Sequence, residues 1–322
     1  MRSLTLFVLL FAQLVFALPA HAITPKEFFK ESLYAPANLV LEALSFDDRY
    51  RLGDEWGKKP VTEEDLKSNE HFRRMALATA KVRGGGTGFY IGEYNGEYVM
   101  ATNHHVCEDY DVCSGSRAIN FTQIGFVTKV NRFYGSWPEI DLALFSIVVD
   151  SEEKKTQLNL VASPFAFAQD LYRGQKLLTI GYGIANNDAR VMVANQDSDC
   201  VVFSGDAEYR FMGDPDEINP APYDAWSFAS GCDVSHGDSG SAMMDRETGQ
   251  VIGIIWTGRI PKSEKVQTSQ YLQELLKTPT EEIWEELSYG VPAVKMKSYL
   301  TEQIANGAVA DDIKVVLEKI LQ

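Results

Sequence analysis

The sequence predicts an all-β domain, a barrel or sandwich, set between a helical N-terminal stretch and helical closing segments. Between Met75 and Val291 short β-prone runs alternate with turn residues at close spacing, a pattern that suits antiparallel barrels and sandwiches better than a parallel α/β sheet. Asn95-Gly96 separates Ile91–Tyr94 from Glu97–Met100. A type I′ turn needs positive φ at both central residues, so this pair marks a hairpin. Helical periodicity is confined to the flanks and to one stretch, 262–288, inserted before the last strand.

In chain order, Arg2, the apolar run Leu4 to Leu18 and Ala20-His21-Ala22 have the three parts of a secretory leader cut after Ala22. A mature chain would then start at Ile23 and be periplasmic or secreted; a retained anchor is the alternative. Residues 23–75 are an N-terminal extension or pro-segment. They hold a capping-box start at Thr62-Glu63-Glu64-Asp65 and the dibasic pair Arg73-Arg74, which reads either as a processing site or as a solvated helix end. Strands are then expected at Phe89–Ile91, through the hairpin into Ala101–Val106, and at Ile119–Phe121, Phe126–Val130 and Leu142–Val149. A charged connector, Asp150–Thr156, divides two halves. Gln175–Gly183, Val191–Ala194, Cys200–Phe203, Trp226–Ala229, Ala242–Met244, Val251–Trp256 and Tyr289–Val291 supply the second set. Tyr271–Leu276, Ile283–Leu287, Val294–Ile304 and Asp311–Leu321 read as helices.

The 322 residues carry a net charge of -15, which argues against nucleic acid as a partner and against general adsorption to anionic membranes. No other stretch is apolar enough to span a bilayer once the leader is removed. Cys107, Cys113, Cys200 and Cys232 suit an oxidising compartment. Of the three possible pairings, Cys107–Cys113 with Cys200–Cys232 would staple one half of the molecule each. The five histidines form no ligand-spaced cluster, so no metal site is expected.

Three motifs carry chemistry: Thr102-Asn103-His104-His105-Val106, Asp141-Leu142-Ala143-Leu144 and Gly237-Asp238-Ser239-Gly240-Ser241. A serine hydroxyl is a poor nucleophile until an imidazole takes its proton, and that imidazole needs an acid to hold its tautomer. In type and order the motifs resemble those of the chymotrypsin/trypsin-like serine peptidase superfamily, nearest its bacterial branch of glutamyl endopeptidases and high-temperature-requirement proteases. The resemblance covers about Met75 to Ile304. It implies two six-stranded antiparallel β-barrels, about 76–150 and 165–295, within a peptidase domain 76–304 followed by a helix over 305–322. It also implies Ser239 as nucleophile, His105 as base at the fourth position of Thr-Asn-x-His-Val, Asp141 as its orienting acid, and the amides of Gly237 and Ser239 as oxyanion hole. His104 should point the opposite way from His105. Polypeptide substrates are implied, with no cofactor.

For the substrate pocket the candidates are Asp233, His236, Thr257 and Gly258. Asp233 lies six residues before Ser239, where trypsins place the acid that selects basic side chains; a turn-forming Asp is the other reading. His236 would line the cleft, and Thr257 and Gly258 would lie along substrate backbone. Asp238 is the residue that trypsins pair with a new N-terminus after zymogen cleavage. No matching start lies upstream, so a side-chain or backbone partner is expected. The resulting expectation is an exported serine endopeptidase working through an acyl-enzyme, with activity rising through a midpoint of about 6–7 as the histidine deprotonates. A silent homologue that binds polypeptides and an esterase on the same fold are the alternatives.

Overall fold

The computed structural model describes residues 48–82, 85–114, 119–185, 188 and 190–322. The expected leader and the start at Ile23 lie outside them. Two antiparallel sheets organise the chain.

The first sheet holds β2 (Thr79–Val82), β3 (Gly86–Tyr94), β4 (Glu97–Thr102), β5 (Ile119–Phe121), β6 (Phe126–Thr128), β7 (Val130–Trp137) and β8 (Leu142–Ile147), in the order β6-β5-β2-β3-β4-β8-β7. The β3–β4 hairpin turns at Asn95 and Gly96 with φ 55° and 78°, the two positive values the dipeptide was expected to supply. The strand β7 was not anticipated. It is largely half-buried and pairs with β8 through two register shifts, which break the alternation that periodicity detects.

The second sheet holds β9 (Leu177–Gly181), β10 (Val193–Asn195), β11 (Arg210–Gly213), β12 (Asp224–Ser230), β13 (Ala242–Asp245), β14 (Val251–Thr257) and β15 (Ser288–Pro292). Its eighth strand is β1 (Lys58–Pro60), paired antiparallel with β10 through Lys58 opposite Asn195, so the order is β1-β10-β9-β13-β14-β15-β12-β11. Among the described residues the sheets thus have seven and eight strands where six each were expected. The additions include β1, which comes from the extension before Met75. The run Cys200–Phe203 is not a strand; it makes single bridges, Lys176 with Val201 and Val202 with Ser230. The charged connector folds as a helix, Glu152–Asn159, and the Ile283–Leu287 pattern as a short 3-10 turn, Glu281–Trp284.

The helix Glu70–Ala78 shows how the extension is held. The Asn69 side chain caps it by accepting from the amides of His71 and Phe72. Its apolar face buries Phe72, Met75, Ala76 and Ala78, and it ends at Thr79, where β2 begins. A fully buried side chain of Phe or Met size contributes roughly 1.5–3 kcal/mol. Phe72 and Met75 share one core with Phe89 and Leu144 of the first sheet and with Ile180 and Ile254 of the second. The inserted stretch 262–288 packs onto the N-terminal extension before the helix Glu70–Ala78: Gly53 donates its amide to Val266 O (2.9 Å), and Asp54 its amide to Ser269 Oγ (3.2 Å). The closing helices Ala293–Ala305 and Asp311–Ile320 bury Met296, Leu300, Val316 and Leu317 in the same core. The disulfides are Cys107–Cys113 and Cys200–Cys232. Among the described residues no helix is long and apolar enough to cross a membrane.

Candidate active site

The strand β4 ends at Thr102, and the chain then turns tightly: the amide of Cys107 bonds back to the carbonyls of Asn103 and His104, and the Cys107–Cys113 bridge closes the loop. Asp141 enters from the neighbouring strand. It follows the 3-10 turn Pro138–Ile140, adopts φ 33° and donates its amide to Pro138 O at 2.9 Å. Asp is among the few residue types that tolerate this left-handed region. Asn103 Nδ2 donates to the Asp141 carbonyl at 2.8 Å, locking the two turns together.

The Asp141 side chain is wholly buried, so its charge must be met by donors. His105 Nδ1 lies 3.0 Å from Oδ2 and 3.2 Å from Oδ1, the His105 amide donates to Oδ1 (3.2 Å), and the Tyr223 hydroxyl donates to Oδ1 (2.8 Å). With Nδ1 donating to the carboxylate, Nε2 is left as an acceptor. Burial pulls the His105 imidazole down, but the charge and hydrogen bond of Asp141, with Asp214 and Glu108 behind it, more than reverse this and leave it above its ordinary value. His104 makes no hydrogen bond to Asp141 and has partners of its own. Its Nδ1 meets Ser136 Oγ at 2.6 Å, its ring sits edge-on to Tyr223, and burial holds it below the usual histidine range.

Ser239 arrives from the second sheet, in the loop between β12 and β13, and Thr87 of β3 fastens that loop to the first sheet. The Thr87 amide donates to Ser239 O (2.9 Å), its hydroxyl donates to Gly237 O (2.7 Å), and the same hydroxyl accepts the Tyr182 amide (3.1 Å). Thr102, at the end of β4, donates its hydroxyl to Thr87 O (2.6 Å). Gly237 and Gly240 flank Ser239 at φ +97° and +87°; a Cβ at Gly237 would stand 2.4 Å from Tyr182 O and one at Gly240 2.0 Å from Thr87 O. Neither position accommodates a side chain. Asp238 is buried, with Oδ2 accepting from the amide and hydroxyl of Ser235 at 2.9 and 3.3 Å. Its other oxygen meets Lys58 Nζ in an ion pair buried on both sides.

The pocket candidates fall into two groups. Asp233 is buried and turned to the chain itself, accepting from the amides of Leu52 (2.7 Å) and Gly57 (2.5 Å). Burial pushes its carboxyl up to about 8, against those two hydrogen bonds. His236, Thr257 and Gly258 have other partners. The Thr257 hydroxyl donates to Asp214, Gly258 sits against Val234, and His236 Nε2 is 3.3 Å from the Tyr50 hydroxyl and 3.7 Å from Asp216 Oδ2. Asp214, Asp216 and Tyr223 belong to one connection between β11 and β12, which Asp214 also folds on itself by accepting from the amides of Asp216 (2.9 Å) and Ala221 (2.8 Å). Sequence reading missed this connection. Its signal was the run Asp214-Pro215-Asp216 and Pro220-Ala221-Pro222, turn formers dense enough to predict a shaped loop.

Among the described residues no group of three or more His, Cys, Asp and Glu side chains is arranged to hold a metal ion. None of the proteins of curated function matches the chain. Similar solved structures include the active form of the Rv3671c protease from M. tuberculosis, 20% identical, with 62% of this chain and 77% of that one covered and a TM-score of 0.39. Another is Deg5, 17% identical, with 73% of this chain and 93% of that one covered and a TM-score of 0.43. The trypsin-like peptidase domain matches residues 86–254, more than half of the sequence and the stretch that holds His105, Asp141 and Ser239. The chain belongs to the trypsin-like peptidase family, hydrolases of polypeptides.

Proposed function

We propose that the protein is an exported serine-type endopeptidase. The observation that carries this reading is the contact of a buried Asp141 carboxylate with His105 Nδ1, beside a strand end on which the Ser239 loop is docked. Ser239 Oγ attacks the scissile carbonyl carbon while His105 Nε2 takes the hydroxyl proton. The tetrahedral oxyanion is met by the amides of Gly237 and Ser239, each such donor being worth roughly a hundredfold or more in rate. Collapse expels the amine, which takes the proton from His105, and leaves an ester on Ser239. Water, deprotonated by the same imidazole, attacks that ester and releases the acid. Tyr223 acts beside this cycle, holding one Asp141 oxygen so that the carboxylate keeps its orientation. The leader-like N-terminus and the two disulfides support export. Asp233 is read as an anchor for residues 52–57 and not as a charged pocket floor, because both its oxygens are engaged with amides.

The test is intact-mass analysis after exposure to a fluorophosphonate probe. One adduct is expected on the wild type and none on Ser239→Ala; an unlabelled wild type overturns the serine-type reading and favours a homologue that only binds peptides.

The dependence on pH follows from the raised His105. Since the imidazole must be neutral to accept the serine proton, labelling rises with pH through a midpoint above the ordinary value of about 6.5. The linked stability has the opposite sense: the contribution of this group is full below about 6.5 and is lost as pH rises through the folded-state value. Labelling rates from pH 5 to 9 check this, and a midpoint below 6 would count against the Asp141 contact in solution.

A further inference from the structure

The mechanism leaves one buried charged pair unused, and it adjoins the nucleophile. Lys58 of β1 and Asp238 are both almost completely shielded from water, 1% and 0% exposed at the side chain, and their charged atoms are in direct contact. An ammonium and a carboxylate are kept in such a place only by each other; removing either strands the second as a buried unpaired charge. Asp238 is also the hinge of its loop. Its Oδ2 accepts the Ser235 amide and hydroxyl, its own amide donates to Ser235 O (3.0 Å), and its carbonyl accepts from Ser241 N (2.8 Å). A Cβ at Gly183 would overlap the same carboxylate, so the side chain is gripped from the β9 side as well. Ser239, the next residue, therefore takes its place from where Asp238 is held.

Lys58 reaches this position because the preceding chain is tied down on the same loop. Leu52 and Gly57 donate to Asp233, Tyr50 reaches His236, and β1 pairs with β10. Together with the Lys58–Asp238 pair, the contacts of Leu52, Gly57 and Tyr50 make four that join the stretch 50–60 to the loop 233–238, while the β10 pairing holds β1 from outside that loop. They differ in kind, and only Lys58 supplies a charge.

We propose that Lys58 is a positioning residue: its ammonium holds the Asp238 carboxylate and so fixes the conformation of the loop that presents Ser239, which makes residues 50–60 part of the working site and not a removable pro-segment. The proposal rests on the serine-peptidase reading for its catalytic consequence. The dibasic pair agrees with it. Arg73 and Arg74 lie inside the helix Glu70–Ala78, and the Arg74 guanidinium is bonded to the Gly249 carbonyl. A cut there would separate Lys58 from Asp238 covalently.

The test compares wild type, Lys58→Met and the double variant Lys58→Met/Asp238→Asn in the mature full chain. Two readouts are followed: the fluorophosphonate labelling rate and hydrogen exchange of the amides at 235–241. Lys58→Met should lose at least a hundredfold in labelling rate and at least tenfold in exchange protection over that loop. The double variant, with neither charge of the pair left buried, should recover at least tenfold of each. A Lys58→Met protein that labels and exchanges like wild type overturns the proposal; so does a double variant that is no better than the single, since the loss would then follow from the lost side chain and not from the stranded charge. If Lys58→Met fails to fold, the double variant decides alone: folded and labelling within a hundredfold of wild type supports the proposal, anything less overturns it. Should wild type itself not label, the exchange comparison still decides whether Lys58 holds the loop, while the peptidase reading fails separately.

Discussion

Asp141→Asn should lower the labelling rate and peptide hydrolysis by about ten-thousandfold while leaving the protein folded, the loss expected when a triad acid becomes its amide. The backbone does not object, since Asn accepts the φ of 33° as readily as Asp. The side-chain chemistry does. Three donors converge on this carboxylate, from His105 Nδ1, the His105 amide and the Tyr223 hydroxyl. An amide offers one accepting oxygen and one donating nitrogen. If the oxygen faces Tyr223 and the backbone amide, the NH2 faces His105 Nδ1, which must then accept, and the proton moves to Nε2. That tautomer cannot take the serine proton. The variant should also have its pH midpoint moved down, because the charge that lifts the imidazole is gone. Full activity in the amide variant, with a native circular dichroism spectrum, would remove Asp141 from the mechanism.

Gly240→Ala carries the second large effect, and on stability as well as rate. The added Cβ would lie 2.0 Å from the Thr87 carbonyl oxygen and 2.4 Å from Thr102 Oγ1, at a backbone φ of +87°. One of those neighbours is main chain inside a sheet and cannot swing aside. We expect a loss of about 3 kcal/mol or more, which for a domain of this size lowers the melting temperature by about 6–12 °C. Gly125→Ala is the control, with a positive φ of 58° but open space around the missing Cβ. It should cost only the backbone strain of about 1–2 kcal/mol. Equal melting of the two variants would mean that the contact with Thr87 is not what requires glycine at position 240.

What the sequence made legible was whatever is short and local. Asn95-Gly96 carries its turn in two residues, and Thr62 to Asp65 carries its capping box in four. His105, Asp141 and Ser239 could be singled out because each is embedded in a contiguous motif. What escaped was decided by partners far along the chain. Nothing around Lys58 announces that its ammonium ends 180 positions away on Asp238, and nothing around Tyr223 announces Asp141. Asp233 shows the same limit from the other side: its offset from Ser239 suggests a pocket, while its hydrogen bonds go to amides from a segment that an offset cannot see. The strand β7 was hidden for a different reason, since its two register shifts destroy the period by which strands are read.

Thr87 has an evolutionary consequence. Its amide, hydroxyl and carbonyl each engage a different residue, so one position in the first sheet is matched at once to Gly237 and Ser239 in the second and to Thr102 beside it. The two halves of this peptidase are therefore not interchangeable modules. A half grafted from a relative would have to bring a hydroxyl at that spot and a glycine opposite it together, and neither change is useful alone.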